Sequence, residues 1–574
     1  MSDKPQSPLH QSSIRSFIPI LKWLPGYHRS WLRWDLVAAL TVWALFVPEG
    51  MAYATLAGVP AEAGLYAAPL AALAYAIFGT SRHITVGPSS TVAIMSALVV
   101  APVAAGDPER FIVLSAALAV LVGGLLIVSG LMRFGVLVDF MSNPVLTGFI
   151  VGLALTIVIG QLDKMLGYSV EDAGFFRELW LFIQNLSMAH LPTVAVGISC
   201  LVLLFAIHKF APKVPAALAV MVLSILASSF FDLEAYGVQV VGYIPAGLPS
   251  FGLPSGIGFH DLVMLIPGAA GIVLVAFSES VAIARSYATS HGYEVNANQE
   301  MIGLGFANLG AGLSQGFVVD ASMSRSSAAD QAGVKSQMSS ILFAAMVLVT
   351  IVALTPLFQS LPEATLGAIV IHAVWHVIDF SKLSRLYKIR LDDFWPAAVA
   401  LLGVLILGIL PGLLVAVFLS LLLLLFRIKT PSTKVLGRVP GDQDVFRNIE
   451  NYPEAEIYPG LLILRFDGLL FFANASNFRE SVCSFVDNDP TIKMILIDSE
   501  SITDIDTTAL EMIEKLKAEL SRSGIDLRFA RMKIQLRDFL CRNVLDSSIS
   551  AEHFYTSVRA GVDAYLADYG HTEK

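Results

Sequence analysis

An arginine surrounded by small hydroxyl residues stands in the most apolar part of the chain. Arg325 lies in the stretch Gly316–Asp330, which reads GFVVDASMSRSSAAD. A guanidinium stays protonated in proteins, and a charge at membrane depth normally faces a cavity or a partner. Serine hydroxyls beside a fixed positive charge, at the start of a helix, suit an oxyanion. The stretch predicts an anion site within a membrane, the alternative being an arginine that pairs structurally or reaches an interface.

A second hydroxyl-rich stretch, VGPSSTVAIMS, begins at Val86. Pro88 suits the start of a helix, where its missing N–H would have no partner. Ser89, Ser90 and Thr91 then offer hydroxyls beside the unpaired backbone N–H groups of the first turn. Taken alone, such a run also fits a plain turn. We predict that five residues bind the substrate: Ser89, Ser90, Thr91, Ser324 and Arg325.

Two acids occupy otherwise apolar segments. Glu49 lies in VPEGMAYA and Glu279 in FSESVAIA, 230 positions apart. Burial disfavours a charged carboxylate, so we expect each to hold a proton near neutral pH and to release it when the site opens to water. Both are therefore predicted to couple proton and anion. The alternatives are a carboxyl that stabilises helix packing and, at Glu279, a sodium site completed by the hydroxyls of Ser278 and Ser280.

The composition is that of a membrane protein with a soluble part attached. Of the 574 residues, 55% are hydrophobic and 14% are charged, against roughly 25% charged in soluble proteins. The net charge of −9 argues against a nucleic-acid partner. Three cysteines without metal or redox spacing indicate a reducing compartment, and the polar, basic first 30 residues predict that no signal peptide is removed. A nucleotide loop, a metal cluster and a nucleophile elbow are also lacking, so neither an enzyme nor a bound cofactor is predicted.

Fourteen apolar segments are long enough to cross or partly cross a bilayer. They fall in two sets of seven, near 36–57, 64–79, 88–104, 110–130, 140–162, 191–208 and 214–230, then 261–284, 296–314, 321–333, 337–358, 362–380, 392–409 and 411–427. Because seven is odd, the two halves are predicted to form an inverted repeat. The spacing of Glu49 and Glu279, added to Val86, leads to residue 316. The third and tenth segments are therefore the predicted matched pair.

The distribution of Lys and Arg predicts the orientation. With the N-terminus inside, the inside loops hold ten basic residues and the outside loops three, so both termini are expected in the cytoplasm.

The predicted organisation is a cytoplasmic segment at 1–35, a transmembrane domain at 36–430, a linker at 431–459 and an α/β domain at 460–574. In the last, GLLILRF, LLFF, IKMILID and IDLRFARM are predicted as strands around an amphipathic helix.

The first three segments and the ninth and tenth segments resemble a known transporter family. The stretch from DLVAALTVWALFVPEGMAYATLAG to VGPSSTVAIMS, and NQEMIGLGFANLGAGLSQGF with the following SMSRSSA, are similar to the signatures of the sulfate permease (SulP) family of anion transporters. The resemblance implies a core bundle (segments 1–4 and 8–11), a gate bundle (5–7 and 12–14) and an anion between the third and tenth segments. Ser324 and Arg325 match the family's anion-coordinating Ser-Arg pair. Asp320 departs from the pattern, and this candidate modulator is expected to pair with Arg325 and weaken anion affinity.

The C-terminal part resembles the STAS domain (sulfate transporter and anti-sigma factor antagonist). The resemblance rests on YPGLLILRFDGLLFFANASNF and DSESITDIDTTAL. Soluble relatives carry Asp-Ser-Ser-Gly with a phosphorylatable hydroxyl, whereas this chain has Ala509 in place of the Gly. Thr507 is thus a candidate phosphosite, although a helix-cap role for Asp506 or Thr507 is favoured.

The expected function is secondary active transport of sulfate, bicarbonate or a dicarboxylate. We expect proton symport by an elevator-like slide, in a homodimer embedded in the lipids of a bacterial inner membrane, with a cytoplasmic partner for the STAS domain. Two transport alternatives are a sodium-coupled bicarbonate transporter and an uncoupled anion channel or exchanger. A third alternative is a membrane-tethered sensor whose output is the STAS domain.

Overall fold

The computed structural model describes residues 17–135, 143–170, 174–212, 214–245, 247–375, 378–429, 431–442, 444–543 and 551–569. The chain divides into two compact units, Met1–Ser420 and Leu421–Lys574. Each unit has its own apolar core.

Every one of the fourteen predicted apolar segments contains a helix in the described part of the chain. The helices are α1 (Leu32–Leu56), α2 (Ala61–Phe78), α3 (Ser90–Ala104), α4 (Pro108–Leu131), α5 (Asn143–Gly160), α6 (Leu191–Phe210), α7 (Ala216–Phe231), α8 (Phe259–His291), α9 (Ala297–Leu313), α10 (Met323–Gln331), α11 (Met338–Val349), α12 (Glu363–Trp375), α13 (Leu391–Leu407) and α14 (Ile409–Lys429). Among the described residues, eight helical spans are long and apolar enough to cross a membrane. The protein is a multi-pass membrane protein.

The third and tenth segments are discontinuous and meet each other. Strand β1 (Val86–Gly87) precedes α3, and strand β2 (Asp320–Ala321) precedes α10. The two strands pair antiparallel, with Val86 opposite Ala321 and Gly87 opposite Asp320. Since each strand leads within a few residues into its helix, the N-termini of α3 and α10 are brought close together. This pairing confirms the predicted match between the two segments.

Helix packing divides the first unit into two bundles, as predicted. Helices α1–α4 pack with α8–α11, whereas α5 packs on α13 and α6 packs on α7 and α12. Glycines permit a close approach of α4 and α9 in the core bundle. A Cβ at Gly123 would lie 2.7 Å from the Gly305 carbonyl oxygen, and one at Gly305 would lie 2.8 Å from that of Gly123. The glycines of GLGFANLGAGL thus allow α9 to pack closely against its neighbours.

The second unit is built on a six-stranded sheet with the order β4-β3-β5-β6-β7-β8. Its strands are β3 (Thr433–Arg438), β4 (Phe446–Asn448), β5 (Leu461–Phe466), β6 (Met494–Asp498), β7 (Asp526–Ala530) and β8 (Phe554–Tyr555). Strands β5 to β8 are parallel, and β3 and β4 are antiparallel at one edge. The helices are α15 (Ala475–Asn488), α16 (Thr507–Arg522), α17 (Ile534–Asn543) and α18 (Val558–Tyr569). The α/β prediction is confirmed.

Two expectations for this unit are corrected. The strand predicted at LLFF is wrong, because there Leu470 makes an isolated bridge with Ile505 and no ladder follows. Side chains satisfy the backbone instead: Asn474 Oδ1 accepts the Phe471 N–H at 2.9 Å, and Asp506 Oδ2 accepts the Phe472 N–H at 2.8 Å. The predicted linker at 431–459 contains β3 and β4, which extend the sheet.

Candidate functional site

Arg325 lies in the first turn of α10 and is completely buried, with 0% of its surface exposed. Its Nη1 is 3.5 Å from Glu49 Oε2 on α1. The guanidinium carbon lies 5.6 Å from the centre of the Phe46 ring, one turn earlier on α1. Removing a guanidinium from water is costly unless a negative charge and a polarisable face replace the lost hydration. Helix α1 supplies both, which explains how the charge is held inside the core bundle.

The guanidinium retains unused hydrogen-bonding capacity. None of its three nitrogens donates a hydrogen bond to a residue that the structure describes. A Cβ at Gly87 would lie 3.5 Å from Nη2, so the guanidinium lies against the backbone of β1. Buried polar groups are normally satisfied. Arg325 is therefore a buried positive charge with unused donors, held between α1, β1 and α10.

A cavity of about 570 Å³ opens where α3 and α10 begin. On the core side its polar lining comes from α1, α3, α8 and α10, namely Tyr53, Ser89, Ser90, Thr91, Glu279, Ser322, Ser324 and Ser327, and on the other side Thr147 of α5 and the ion pair of Asp379 with Lys382 also line it. Apolar side chains of α5 in the gate bundle, including Leu146, Ile150 and Leu153, form the facing wall. Four of the five predicted substrate-binding residues thus line one cavity between the two bundles. Arg325 is the exception. Its side chain does not line the cavity and lies deeper in the core bundle, against Glu49 and Phe46 of α1.

The two helix starts differ in how they are capped. Ser322 is the N-cap of α10, and its Oγ accepts the Arg325 N–H at 3.4 Å and lies 3.2 Å from Ser324 Oγ. Ser89 is the N-cap of α3 but makes no capping hydrogen bond. The positive end of a helix and its unpaired N–H groups favour an anion. The start of α3 is therefore the better source of backbone donors, and the start of α10 supplies hydroxyls.

The two acids of the repeat occupy different environments. Glu49 faces Arg325 and is 6% exposed, whereas Glu279 lines the cavity. Asp320 is fully buried opposite Gly87, beside the Ser89 hydroxyl and the Glu279 carboxyl. It interacts electrostatically with Glu279 and, more weakly, with Arg325. The expectation that Asp320 pairs with Arg325 is corrected, because Glu49 is the carboxylate at ion-pair distance.

The sequence analysis did not predict several side chains whose hydrogen bonds connect the segments around the cavity. Ser280 Oγ accepts the Ala321 N–H at 3.0 Å, so this hydroxyl, considered for a sodium shell, anchors β2 to α8. Asn308 makes two hydrogen bonds to the backbone of Val319. Its Oδ1 accepts the Val319 N–H at 3.0 Å, and its Nδ2 donates to the Val319 carbonyl oxygen at 2.9 Å. Ser326 Oγ accepts the Thr85 N–H at 2.9 Å. Their partners are distant in the chain, and the sequence carries no local signal for such pairs.

In the second unit, Asp506 is the N-cap of α16. Its Oδ1 accepts the Ala509 N–H at 2.8 Å, while its other oxygen holds Phe472. Thr507 is the first residue of the helix and is exposed. The favoured helix-cap role is therefore seen at Asp506, and phosphorylation of Thr507 stays a prediction.

Comparison with known proteins covers nearly the whole chain. The family model described as the sulfate permease family matches residues 32–400, and the STAS domain model matches residues 452–561. A protein named "Probable sulfate transporter" from Mycobacterium tuberculosis (strain ATCC 25618 / H37Rv) is 40% identical over 552 residues, 95% of this chain and 98% of the relative. High affinity sulfate transporter 2 of Stylosanthes hamata is 30% identical over 588 residues, 97% of this chain and 88% of the relative.

Solved structures share the fold at lower identity. The murine anion transporter Slc26a9, in its inward-facing state, matches with a TM-score of 0.90 and 24% identity, covering 99% of this chain and 96% of that one. The transmembrane domain of the cyanobacterial bicarbonate transporter BicA matches with a TM-score of 0.58 and 22% identity, covering 69% of this chain and 98% of that one.

Proposed function

Because the chain belongs to the sulfate permease family, we propose that it is a secondary active anion transporter that carries an oxyanion together with protons. Sulfate is the first candidate substrate, since curated relatives of 30–40% identity carry that name. Bicarbonate is the second, because BicA shares the fold of the membrane unit. The hydroxyls of Ser89, Ser90, Thr91 and Ser324 suit any small oxyanion, including a dicarboxylate.

The charge balance around the cavity carries the proposal. One guanidinium, Arg325, interacts with the carboxyl groups of Glu49 and Asp320, and Asp320 interacts in turn with Glu279. With all of these groups ionised, they carry three negative charges and one positive charge, which opposes an anion, and the paired Lys382 and Asp379 in the cavity lining add no net charge. A site inside a membrane unit cannot accumulate that much negative charge at acceptable cost. Anion binding is therefore favoured when carboxyl groups take up protons.

The two repeat acids are assigned different parts of this coupling. Glu279 lines the cavity, so it exchanges protons with the same water that brings the anion. A proton on Glu49 would free the charge of Arg325 to act on the anion, because the pair distance of 3.5 Å makes Glu49 its main counter-charge. Proton uptake at either position strengthens anion binding, and anion binding strengthens proton uptake by the same factor.

We assign the transport step to a slide of the core bundle against the gate bundle. The cavity is polar on the core side, whereas α5 lines it mostly with apolar side chains, Thr147 being the exception. When protons nearly cancel the charge of the bound anion and the carboxylates, the occupied site moves past the apolar wall at a lower free-energy cost than a charged site would. We place the protein in a bacterial inner membrane, and the Lys and Arg asymmetry supports both termini in the cytoplasm. A homodimer and a cytoplasmic partner of the STAS domain belong to the same proposal.

Sodium coupling is the second candidate. Glu279 and the hydroxyls near it offer the oxygen ligands that a hard cation prefers, although Ser280 Oγ already accepts the Ala321 N–H. An uncoupled channel or exchanger would need no coupling ion at all. For the same substrate, proton symport requires a proton gradient, sodium symport requires a sodium gradient, and a channel or exchanger requires neither.

An uptake panel in proteoliposomes separates them. Labelled sulfate, bicarbonate and a dicarboxylate are each offered with an inward proton gradient, an inward sodium gradient or neither. Our proposal predicts accumulation of one of these anions above its equilibrium level with the proton gradient alone. Accumulation driven by sodium alone, or equilibration without accumulation under every gradient, would reject proton symport.

A further inference from the structure

We propose that His83, His291 and Asp330 form a binding site for a divalent transition-metal ion such as Zn²⁺, Ni²⁺ or Co²⁺. His83 lies in the loop between α2 and β1, His291 ends α8, and Asp330 lies in the last turn of α10. One ligand atom from each residue lies within 4.8 Å of the other two. His291 Nε2 is 2.8 Å and His83 Nε2 is 4.0 Å from Asp330 Oδ1. Two helices that line the anion cavity, α8 and α10, thus bring their C-terminal ends to the loop before β1.

A hydrogen bond orients the buried imidazole. His83 is 6% exposed, and its Nδ1 lies 3.0 Å from the hydroxyl of Tyr293. That hydroxyl also lies 3.1 Å from Ser81 Oγ and accepts the Arg82 N–H at 3.3 Å. With Nδ1–H donating to Tyr293, Nε2 carries a lone pair and faces Asp330. An outer partner that fixes tautomer and ring orientation is the usual companion of a histidine metal ligand.

The ligand set selects the type of ion. Two imidazoles and one carboxylate suit borderline transition metals, whereas Mg²⁺ and Ca²⁺ prefer oxygen ligands alone. Bonds of about 2.0–2.1 Å place the donors of a tetrahedral site about 3.3 Å apart. The His291 to Asp330 distance is already shorter than this, and the His83 to Asp330 distance must shorten by less than an ångström.

One side chain has to turn for the ion to bind. The rings of His83 and His291 stack with centres 4.1 Å apart and planes 13° apart, so they do not yet converge on one point. The His291 side chain is 40% exposed at the end of α8, and its ring can rotate without disturbing the core. Three protein ligands leave a position for water, and Arg82 and Lys335 add positive charge near His83. We expect a weakly held, exchangeable ion.

The site is separate from the anion cavity, since none of its three residues lines that cavity. It nevertheless joins α8, which carries Glu279, to α10, which carries Arg325, and to the loop before β1. A bound ion would cross-link three segments of the core bundle. Binding to the folded state alone raises its stability, so the metal is expected to raise the melting temperature.

The experiment uses the full chain purified without a polyhistidine tag and stripped with a chelator. Zn²⁺ is added by equilibrium dialysis and counted by atomic emission, and Co²⁺ binding is followed by its visible absorption. The test variant is His291→Ala, because that residue is exposed and its loss spares the fold. His260→Ala is the matched control, since His260 is exposed at the opposite end of the same helix.

The expected result is saturable binding of one Zn²⁺ per chain, a higher melting temperature with Zn²⁺, and binding weakened at least about tenfold in His291→Ala, as for the loss of a supporting group or a ligand. His260→Ala should bind like the unaltered chain, and Tyr293→Phe should bind more weakly. Equal Zn²⁺ affinity in His291→Ala and the unaltered chain would overturn the proposal, as would the absence of saturable binding.

Discussion

Nη1 of Arg325 lies 3.5 Å from Oε2 of Glu49, which joins the start of the tenth segment to the first segment. The pair places a fixed positive charge next to the anion cavity while a carboxylate compensates it. The sign and strength of the field at the cavity therefore depend on the protonation of Glu49. The pair also links the two halves of the repeat inside the core bundle.

Arg325→Ala should abolish concentrative uptake and destabilise the membrane unit. Removing one partner of a buried ion pair leaves an uncompensated charge and costs about 3–5 kcal/mol. The double variant Arg325→Ala with Glu49→Gln removes both charges, so it should recover much of the melting temperature without recovering uptake. The measurements are thermal unfolding and uptake into proteoliposomes. Uptake unchanged in the purified single variant would refute the anion-site assignment.

Gly305→Ala should destabilise the core bundle by about 1–3 kcal/mol, the usual cost of overpacking. The new methyl group would lie 2.6 Å from the Ile127 side chain and 2.8 Å from the Gly123 carbonyl oxygen. Gly124→Ala is the control, since a Cβ there meets nothing within 4 Å. Melting temperatures of the two variants in detergent test this. Equal melting temperatures would show that the α4–α9 contact tolerates the extra atom.

Removing the second unit should leave anion binding intact. Every residue proposed to bind the anion or to couple it to protons precedes residue 332, within the first unit. The cut belongs before β3, which begins at Thr433 and would otherwise be left without its sheet. We expect the truncated chain to bind sulfate like the full chain, with altered expression, dimerisation or rate. Loss of binding in a monodisperse, folded truncation would contradict the assignment.

Asp506→Ala should loosen the start of α16, because loss of an N-cap costs about 0.5–2 kcal/mol. Amide hydrogen exchange in the full chain should become faster at Ala509 and Phe472, whose N–H groups donate to Asp506. Thr507→Ala is the matched control and should leave both amides unchanged, since Thr507 is exposed. Faster exchange in the control alone would assign the cap to Thr507 instead.

The sequence predicted the architecture because hydropathy and repetition are local, readable signals. The matched discontinuous segments followed from the spacing of Glu49 and Glu279, and β1 and β2 do pair. The sequence did not predict which carboxylate pairs with Arg325. Asp320 is near it in the chain, but the backbone of β2 directs Asp320 opposite Gly87 while α1 brings Glu49 within reach.

Two further features were not predicted from the sequence for the same reason, because they depend on contacts that form only in the folded chain. LLFF has the apolar character of a strand, yet Asn474 and Asp506 satisfy its backbone and turn the chain toward α15. The anchoring role of Asn308 depends on a contact with Val319 after an intervening turn. Hydropathy does not encode such hydrogen bonds, which appear once the helices are packed.

The most direct test of proton coupling is Glu279→Gln, which imitates the protonated carboxyl in the cavity wall. Labelled substrate uptake is measured in proteoliposomes with internal pH near 7.5 while external pH is stepped from about 7.5 to about 5.5, a range that spans titration of a buried carboxyl. We predict that the unaltered protein accelerates and accumulates anion after the step, and that the variant still exchanges substrate for substrate but gains nothing from the step. A variant that accumulates anion as the unaltered protein does would show that Glu279 does not carry the proton, and a response to sodium alone would contradict proton coupling altogether.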